Sequence, residues 1–290
     1  MVKQYSFKYI RRNSSHIFNI FLFFYLIFGF YLSVNTGIST DEFIEQKNWK
    51  FNLEAIKDFF GSSHDGYFNL LKYEWKFHGV GFHYFSQIYL LLAGLIVKFE
   101  GFSEEISKIL LNHGLIFFTY FLSGIFASKI VNLLIKDKFF SNIFLVFYLF
   151  YPYLLGHGFY NPKDMPFLSV WILSTYISIR IFLKAYRKDY ISFLNIFFLA
   201  LSTSFLFSIR ISGILILLQY LIAFIITSKF IKESFYGIIK LYLYKIFLFF
   251  LFTLIFTFLF YPIFWKNPFL IFDSLNQMRS IPYGICTLTL

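Results

Sequence analysis

The chain alternates long apolar runs with short polar or basic connections. A spanning helix needs about 20 mostly apolar residues at a rise of about 1.5 Å each. Residues 17–34, 109–127, 139–155, 166–183 and 246–260 read as such spans. From 190 to 228 the only charge in 39 residues is Arg210. A straight helix of that length would reach about 58 Å, nearly twice the ~30 Å hydrocarbon core, so this stretch must fold back. The turn is expected at Ser208, Arg210, Ser212 and Gly213, which makes about seven spanning helices. Between the first two runs, residues 35–108 form a long polar and aromatic segment with helices expected over 52–60 and 85–97. The second of these is too short to cross and reads as interfacial or re-entrant. The fold class is all-α polytopic membrane protein, with no internal repeat, no Gly/Ser linker and no soluble domain.

Composition supports this class. Hydrophobic residues make up 58% of the 290 and charged residues 14%, against about 25% charged in soluble domains. The formal charge of +11 would point a soluble chain towards nucleic acid. Here the cations sit in clusters between apolar runs: Lys129, Lys136 and Lys138, then Arg180, Lys184, Arg187 and Lys188, then Lys229, Lys232, Lys240 and Lys245. If residues 85–97 do not cross, all three clusters face the cytoplasm, as the positive-inside bias requires. The surplus is therefore topology, and no nucleic-acid partner is expected. Lys3, Lys8, Arg11 and Arg12 precede the first run, as in a signal peptide. That run is too long for a typical signal sequence and lacks a small-residue cleavage site, so it reads as an uncleaved anchor with a cytoplasmic N-terminus. Cys286 is the only cysteine, which excludes an intrachain disulfide and a cysteine-based metal site. The 47 Phe and 22 Tyr accompany abundant Ile, Lys and Asn, a pattern of AT-rich codon usage to which no ligand-binding meaning is attached.

Five of the charges expected on the outer side stand out beside the apolar runs. Asp41 and Glu42 follow the first run, Lys163 and Asp164 lie in GHGFYNPKDMPF, and Arg210 stands at the expected hairpin. Ionisable residues in membrane segments are functional candidates by default. Each also has a bland account. Asp41 and Glu42 could be a solvated loop start, and Asp164 a helix N-cap ahead of Pro166; Arg210 could snorkel to the interface. Carboxylates with fixed cations suit group transfer from a phosphate leaving group: a carboxylate takes the acceptor's proton and the cations neutralise the departing phosphate. A lipid-linked donor would explain a site at a membrane surface.

The chain resembles the front half of a GT-C glycosyltransferase of the family 39 kind, which includes protein O-mannosyltransferases and the bacterial transferases that add aminoarabinose to lipid A. The resemblance rests on STDEFIE after the first helix, the long first outer loop with membrane-lying helices, the Asp ahead of a helix in the second outer loop, SIRISG and YPIFWKNP. GHGFYNPKDMPF is similar to the Asn-Pro-Lys-Asp-x-Pro-Phe version found in bacterial members. It implies a single GT-C-like transmembrane bundle over 1–290, with 35–108 and 156–166 as the first and second periplasmic loops. The implied activity is transfer of a sugar from a polyprenyl-phosphate-linked donor to a lipid, glycan or protein acceptor on the periplasmic side of a bacterial inner membrane. Asp41, Glu42 and Asp164 become the catalytic acids and Lys163 and Arg210 the phosphate cations. Beside them, His157 and Asn161 are binding candidates read from the sequence itself, and a polar residue near a helix end is the bland account of His157. A divalent metal held by Asp41 and Asp164 is left open. Members of the family continue with more helices, so this chain is expected to represent the front part only. The competing readings are a lipid or sugar transporter of flippase type and an inactive truncated fragment. His64, His78 and His83 lack metal-ligand spacing such as HExxH. His113, inside an apolar run, is expected to hydrogen-bond a neighbouring helix rather than a ligand.

Overall fold

The computed structural model describes residues 2–61, 65–94, 101–231 and 235–279. All regular structure among them is helical: α1 (Val2–Val34), α2 (Thr40–Phe59), α3 (Gly66–Lys72), α4 (Gly81–Ala93), α5 (Glu104–Ile135), α6 (Lys138–Leu149), α7 (Pro152–Tyr160), α8 (Asp164–Tyr186), α9 (Phe193–Ile209), α10 (Ile216–Ile231), α11 (Phe235–Phe260) and α12 (Leu270–Arg279). Short 3₁₀ turns cover Ile211–Leu215 and Pro262–Phe264. Among the described residues five segments are single helices long and apolar enough to cross a bilayer: His16–Val34, Glu104–Ile135, Asp164–Tyr186, Ile211–Phe230 and Leu241–Phe260. The chain is an all-α, multi-pass membrane protein.

The other two expected spans differ from straight helices. Residues 139–155 divide into α6 and α7, which meet at 61°. Pro152 is the cause: it has no N–H to continue the ladder and pushes Tyr151 into extended backbone, φ −66° and ψ 113°. The first arm of the expected hairpin is α9, 17 residues long, or about 25 Å. The fold-back itself is present. Arg210 is extended, at φ −147° and ψ 132°, and Thr203 Oγ1 lies 3.1 Å from Tyr220 Oη, although a straight helix would separate residues 17 apart by about 25 Å.

The long segment after α1 is more helical than expected. The helix expected over 52–60 is the second half of α2, so Asp41 and Glu42 lie in a first helical turn instead of a loop. That expected over 85–97 begins earlier, at Gly81, and ends at Ala93; its residues 95–97 lie outside the described residues. At 13 residues α4 is about 20 Å long, short of the ~30 Å core. Much of 156–166 is also helical, leaving only 161–163 between α7 and α8.

The chain divides into two compact units, Met1–Phe43 with Tyr84–Arg180, and Ile44–His83 with Ile181–Leu290. In the first, α5 is the central helix, burying Ile109, Ile116, Phe117 and Tyr120. It packs closely on α1 at two reciprocal points: a Cβ on Gly29 would meet the Phe117 ring, and one on Gly114 the Phe30 ring. Pro152 has no N–H to give Tyr148 O, which takes a 3.3 Å turn bond from the Tyr151 N–H instead, and in an apolar environment carbonyls at such a break need strong donors. Two phenols from neighbouring helices supply them: Tyr120 Oη donates to Tyr148 O at 2.8 Å and Tyr25 Oη to Leu149 O at 2.5 Å.

In the second unit α9 lies along α11, with Ser204 Oγ donating to Thr253 O at 2.9 Å and Phe197 set edge-on against Phe252 and Phe256. The YPIFWKNP stretch forms a core with α2 and α3, in which Ala55, Leu70, Phe77, Tyr261, Ile263 and Phe264 are buried. Polar bonds fasten it. Tyr67 Oη donates to Ile263 O at 2.8 Å, Tyr261 Oη to Phe207 O at 2.8 Å, and Asp58 accepts both the Tyr67 N–H at 2.9 Å and Lys266 Nζ at 3.2 Å. The burial that suits Tyr261 to this core pushes its phenol pKa up.

Removing either kink phenol takes a hydrogen-bond donor from a carbonyl at the break. Tyr25→Phe and Tyr120→Phe should each lower stability by about 1–2 kcal/mol, read as an earlier thermal unfolding midpoint in detergent; unchanged midpoints would mean that water reaches the kink. Topology is tested within the first unit. Cysteines at Gly37 and Lys136 should label from opposite sides of the membrane, and same-side labelling would overturn the assigned crossing of α5.

Candidate functional site

The first unit gathers most of the chemistry at one end. Ser39-Thr40-Asp41-Glu42 opens α2 as a helix start with a Glu three residues after the cap. Glu42 Oε1 accepts the Ser39 N–H at 2.7 Å, the acidic half of a capping box. Two carboxylates in the first turn also suit the positive end of the helix dipole. They part company in environment: Asp41 is exposed, whereas Glu42 is 3% exposed.

Glu42 is buried because it has a partner. His113, on α5 and fully buried, places Nε2 2.6 Å from Glu42 Oε2 and Nδ1 3.1 Å from Ser33 O. The expected hydrogen bond from His113 to a neighbouring helix is present; the surprise is the second bond, to a residue assigned to catalysis. A lone His in an apolar run and a Glu in a capping sequence were each visible in the sequence, but their 71-residue separation hid the pair. Next to His113 in the chain, Asn112 ties α4 to α5 by accepting at Oδ1 from Ser86 Oγ at 2.7 Å.

The Asn161 side chain organises the other half of this end. Its Oδ1 accepts the N–H groups of Lys163 at 3.1 Å and Asp164 at 2.8 Å, so the residue that caps α8 is Asn161. Asp164 is the first residue of α8 and not its N-cap, contrary to the bland account of it. Asn161 Nδ2 is a donor, and it reaches Asp164 Oδ2 at 3.2 Å and His157 Nδ1 at 3.0 Å. His157 Nδ1 is therefore an acceptor there, and in the neutral ring the proton is on Nε2. The His157 ring packs beside Tyr153 at 4.6 Å. Asp164 is exposed, while Lys163 is half-buried.

Helix contacts align these two halves. Phe159 of α7 stacks on Phe117 of α5 at 5.7 Å, and Gly158 lies against Tyr120, so α7 runs antiparallel to α5. His113, the partner of Glu42, is four residues further along in the same sense, about 6 Å. The start of α2 and the junction of α7 and α8 thus emerge at the same end of the unit, the first with Asp41 and Glu42 and the second with His157, Asn161, Lys163 and Asp164.

Arg210 belongs to the second unit. It ends α9, is exposed, and donates its backbone N–H to Leu206 O at 3.2 Å. The neighbouring backbone is packed tightly, since a Cβ on Gly79 would strike Ser208 O. This unit also holds two cavities. One, of about 480 Å³, is a polar cleft walled by Lys47, Lys72, Asn69, Tyr73, Glu74 and Trp75; burial and the nearby Glu45 and Glu74 push the Tyr73 phenol up. The other, of about 310 Å³, is almost wholly apolar and lies among α8, α9, α10 and α11, with Tyr242 and Lys245 in its wall. Neither cavity was legible in the sequence, because each is made by residues from separate elements. No group of three or more His, Cys, Asp or Glu side chains arranged to hold a metal occurs among the described residues.

No family model, curated protein or solved structure matches the chain.

Asn161 carries a testable load. Asn161→Ala removes the α8 cap and should destabilise by about 1 kcal/mol, while Asn161→Asp, which keeps the accepting oxygen, should lose less; equal losses in thermal unfolding would assign the effect to the Nδ2 contacts with His157 and Asp164.

Proposed function

We propose that the chain is a membrane glycosyltransferase of GT-C type that moves a sugar from a polyprenyl-phosphate-linked donor to a lipid, glycan or protein hydroxyl at the periplasmic face of a bacterial inner membrane. The observation that carries this reading is the shared end of the first unit, where two exposed carboxylates from different helices, Asp41 and Asp164, stand with the half-buried Lys163. In this reaction Asp41 accepts the proton of the acceptor hydroxyl, the hydroxyl oxygen bonds to the anomeric carbon, and the bond from that carbon to the phosphate oxygen breaks. Lys163 neutralises the phosphate that leaves. Asp164, on Asn161, supports the acceptor or the sugar hydroxyls, with His157 alongside.

A transporter reading has one observation in its favour, the broken span at α6 and α7, since broken helices line transport sites. The carbonyls freed there accept hydrogen bonds from Tyr25 and Tyr120 and are not turned towards a solute, so the transferase reading accounts for more.

Sugar transfer from a radiolabelled polyprenyl-phosphate donor, assayed in membranes carrying the full chain, tests the assignment. Asp41→Asn should insert normally and lose transfer by about 10²–10⁴-fold, the usual worth of a general base. Wild-type activity in that variant would remove Asp41 as the base, and absence of transfer by the native chain across a panel of donor sugars would overturn the reading.

A further inference from the structure

We propose that Glu42 is a positioning residue, held by His113 through one shared proton, and that this buried pair sets the place of the Asp41 carboxylate. What Asp41 does there rests on the glycosyltransferase reading; the pair itself rests on geometry alone.

The proton count follows from the partners. Ser33 O can only accept, so His113 Nδ1, 3.1 Å away, carries hydrogen. That leaves Nε2 facing Glu42 Oε2 at 2.6 Å. Two lone pairs would repel at that distance, and two protons would leave an uncompensated cation in a buried site, which is costly. One proton therefore lies between the two atoms and the pair carries no net charge. The other oxygen, Oε1, accepts the Ser39 N–H. Both Glu42 oxygens are thus engaged by protein groups, and at 3% exposure neither is presented to an incoming hydroxyl, as a general base requires.

The pair joins three pieces of chain: the end of α1 through Ser33, the start of α2 through Ser39 and Glu42, and the first third of α5 through His113. It therefore pins both ends of the turn that leads into Asp41. Successive helical residues point about 100° apart, so turning Glu42 inward onto His113 turns Asp41 outward, where it is exposed.

The shared proton makes a specific demand on substitutions. In Glu42→Gln the amide N–H can donate to neutral His113 and the amide oxygen can still accept from Ser39, reproducing the whole pattern without a carboxylate. Glu42→Ala and His113→Leu cannot. The experiment uses the full chain with Cys286→Ser and measures two things for each variant: kcat and KM for transfer, and the thiol-labelling rate of a cysteine at position 41, with a cysteine at Lys136 as a control for the fold. Glu42→Gln should keep kcat within about threefold and leave labelling at 41 unchanged. Glu42→Ala and His113→Leu should lose about ten- to a hundredfold in kcat with little change in KM, as expected for a displaced reacting group. They should also shift labelling at 41 severalfold and leave Lys136→Cys untouched. Glu42→Gln as inactive as Glu42→Ala would overturn the proposal by giving Glu42 a chemical role, and so would His113→Leu that leaves labelling at 41 unmoved. If the native chain transfers no sugar, the glycosyltransferase reading fails while the labelling rates still decide whether the pair positions residue 41.

Discussion

A bilayer core contains no water to satisfy a polar group, so every donor, acceptor and proton within it must find a protein partner. Much of this structure follows from that constraint. It explains why a histidine in the middle of an apolar helix has both ring nitrogens occupied, one by the carbonyl of Ser33 and the other by Glu42. It also explains the tyrosines of the first unit. Pro152 breaks a span and frees carbonyls, and Tyr25 and Tyr120 reach across from α1 and α5 to take them up. A kink that would be a weakness in isolation becomes a junction between helices.

The same constraint separates the two acids of the Asp41-Glu42 pair. They are neighbours in sequence and share a helix dipole, yet one is turned into the protein and neutralised against an imidazole, and the other is left at the surface. An exposed carboxylate is satisfied by solvent, whereas a buried one needs protein partners. The two environments follow from the direction in which each side chain leaves the helix. Asn161 makes a similar division at the second connection, taking over the cap of α8 and leaving the Asp164 carboxylate to other contacts.

The second unit solves a different problem, the anchoring of polar helices beside apolar ones. Helix α2 carries charge along much of its length, and α2 and α3 are held by an aromatic core built on Tyr261, Ile263 and Phe264 and by the Asp58 bonds to Tyr67 and Lys266. Aromatic residues with a polar tip suit such a place, because the ring packs while the hydroxyl or indole N–H finds a carbonyl. Tyr67, Tyr261 and Trp265 all do so.

The apolar runs by themselves determined the class of protein, the approximate position of every spanning helix and the fold-back at Arg210, because run length against bilayer thickness is a local property of the chain. They also made the ionisable residues beside the spans stand out as candidates, since such a group in so apolar a chain is conspicuous. Three things were settled only in three dimensions. The helical start of α2 depends on the Glu42 capping bond and its buried partner, and composition had suggested a polar loop. The break at Pro152 is stable because two tyrosines from other helices satisfy it. The pairing of Glu42 with His113, and hence the different environments of Glu42 and Asp41, depends on α5 lying against the end of α1. Periodicity and spacing report what a residue meets within a turn or two of its own helix; which side chain waits across a helix interface is decided by packing.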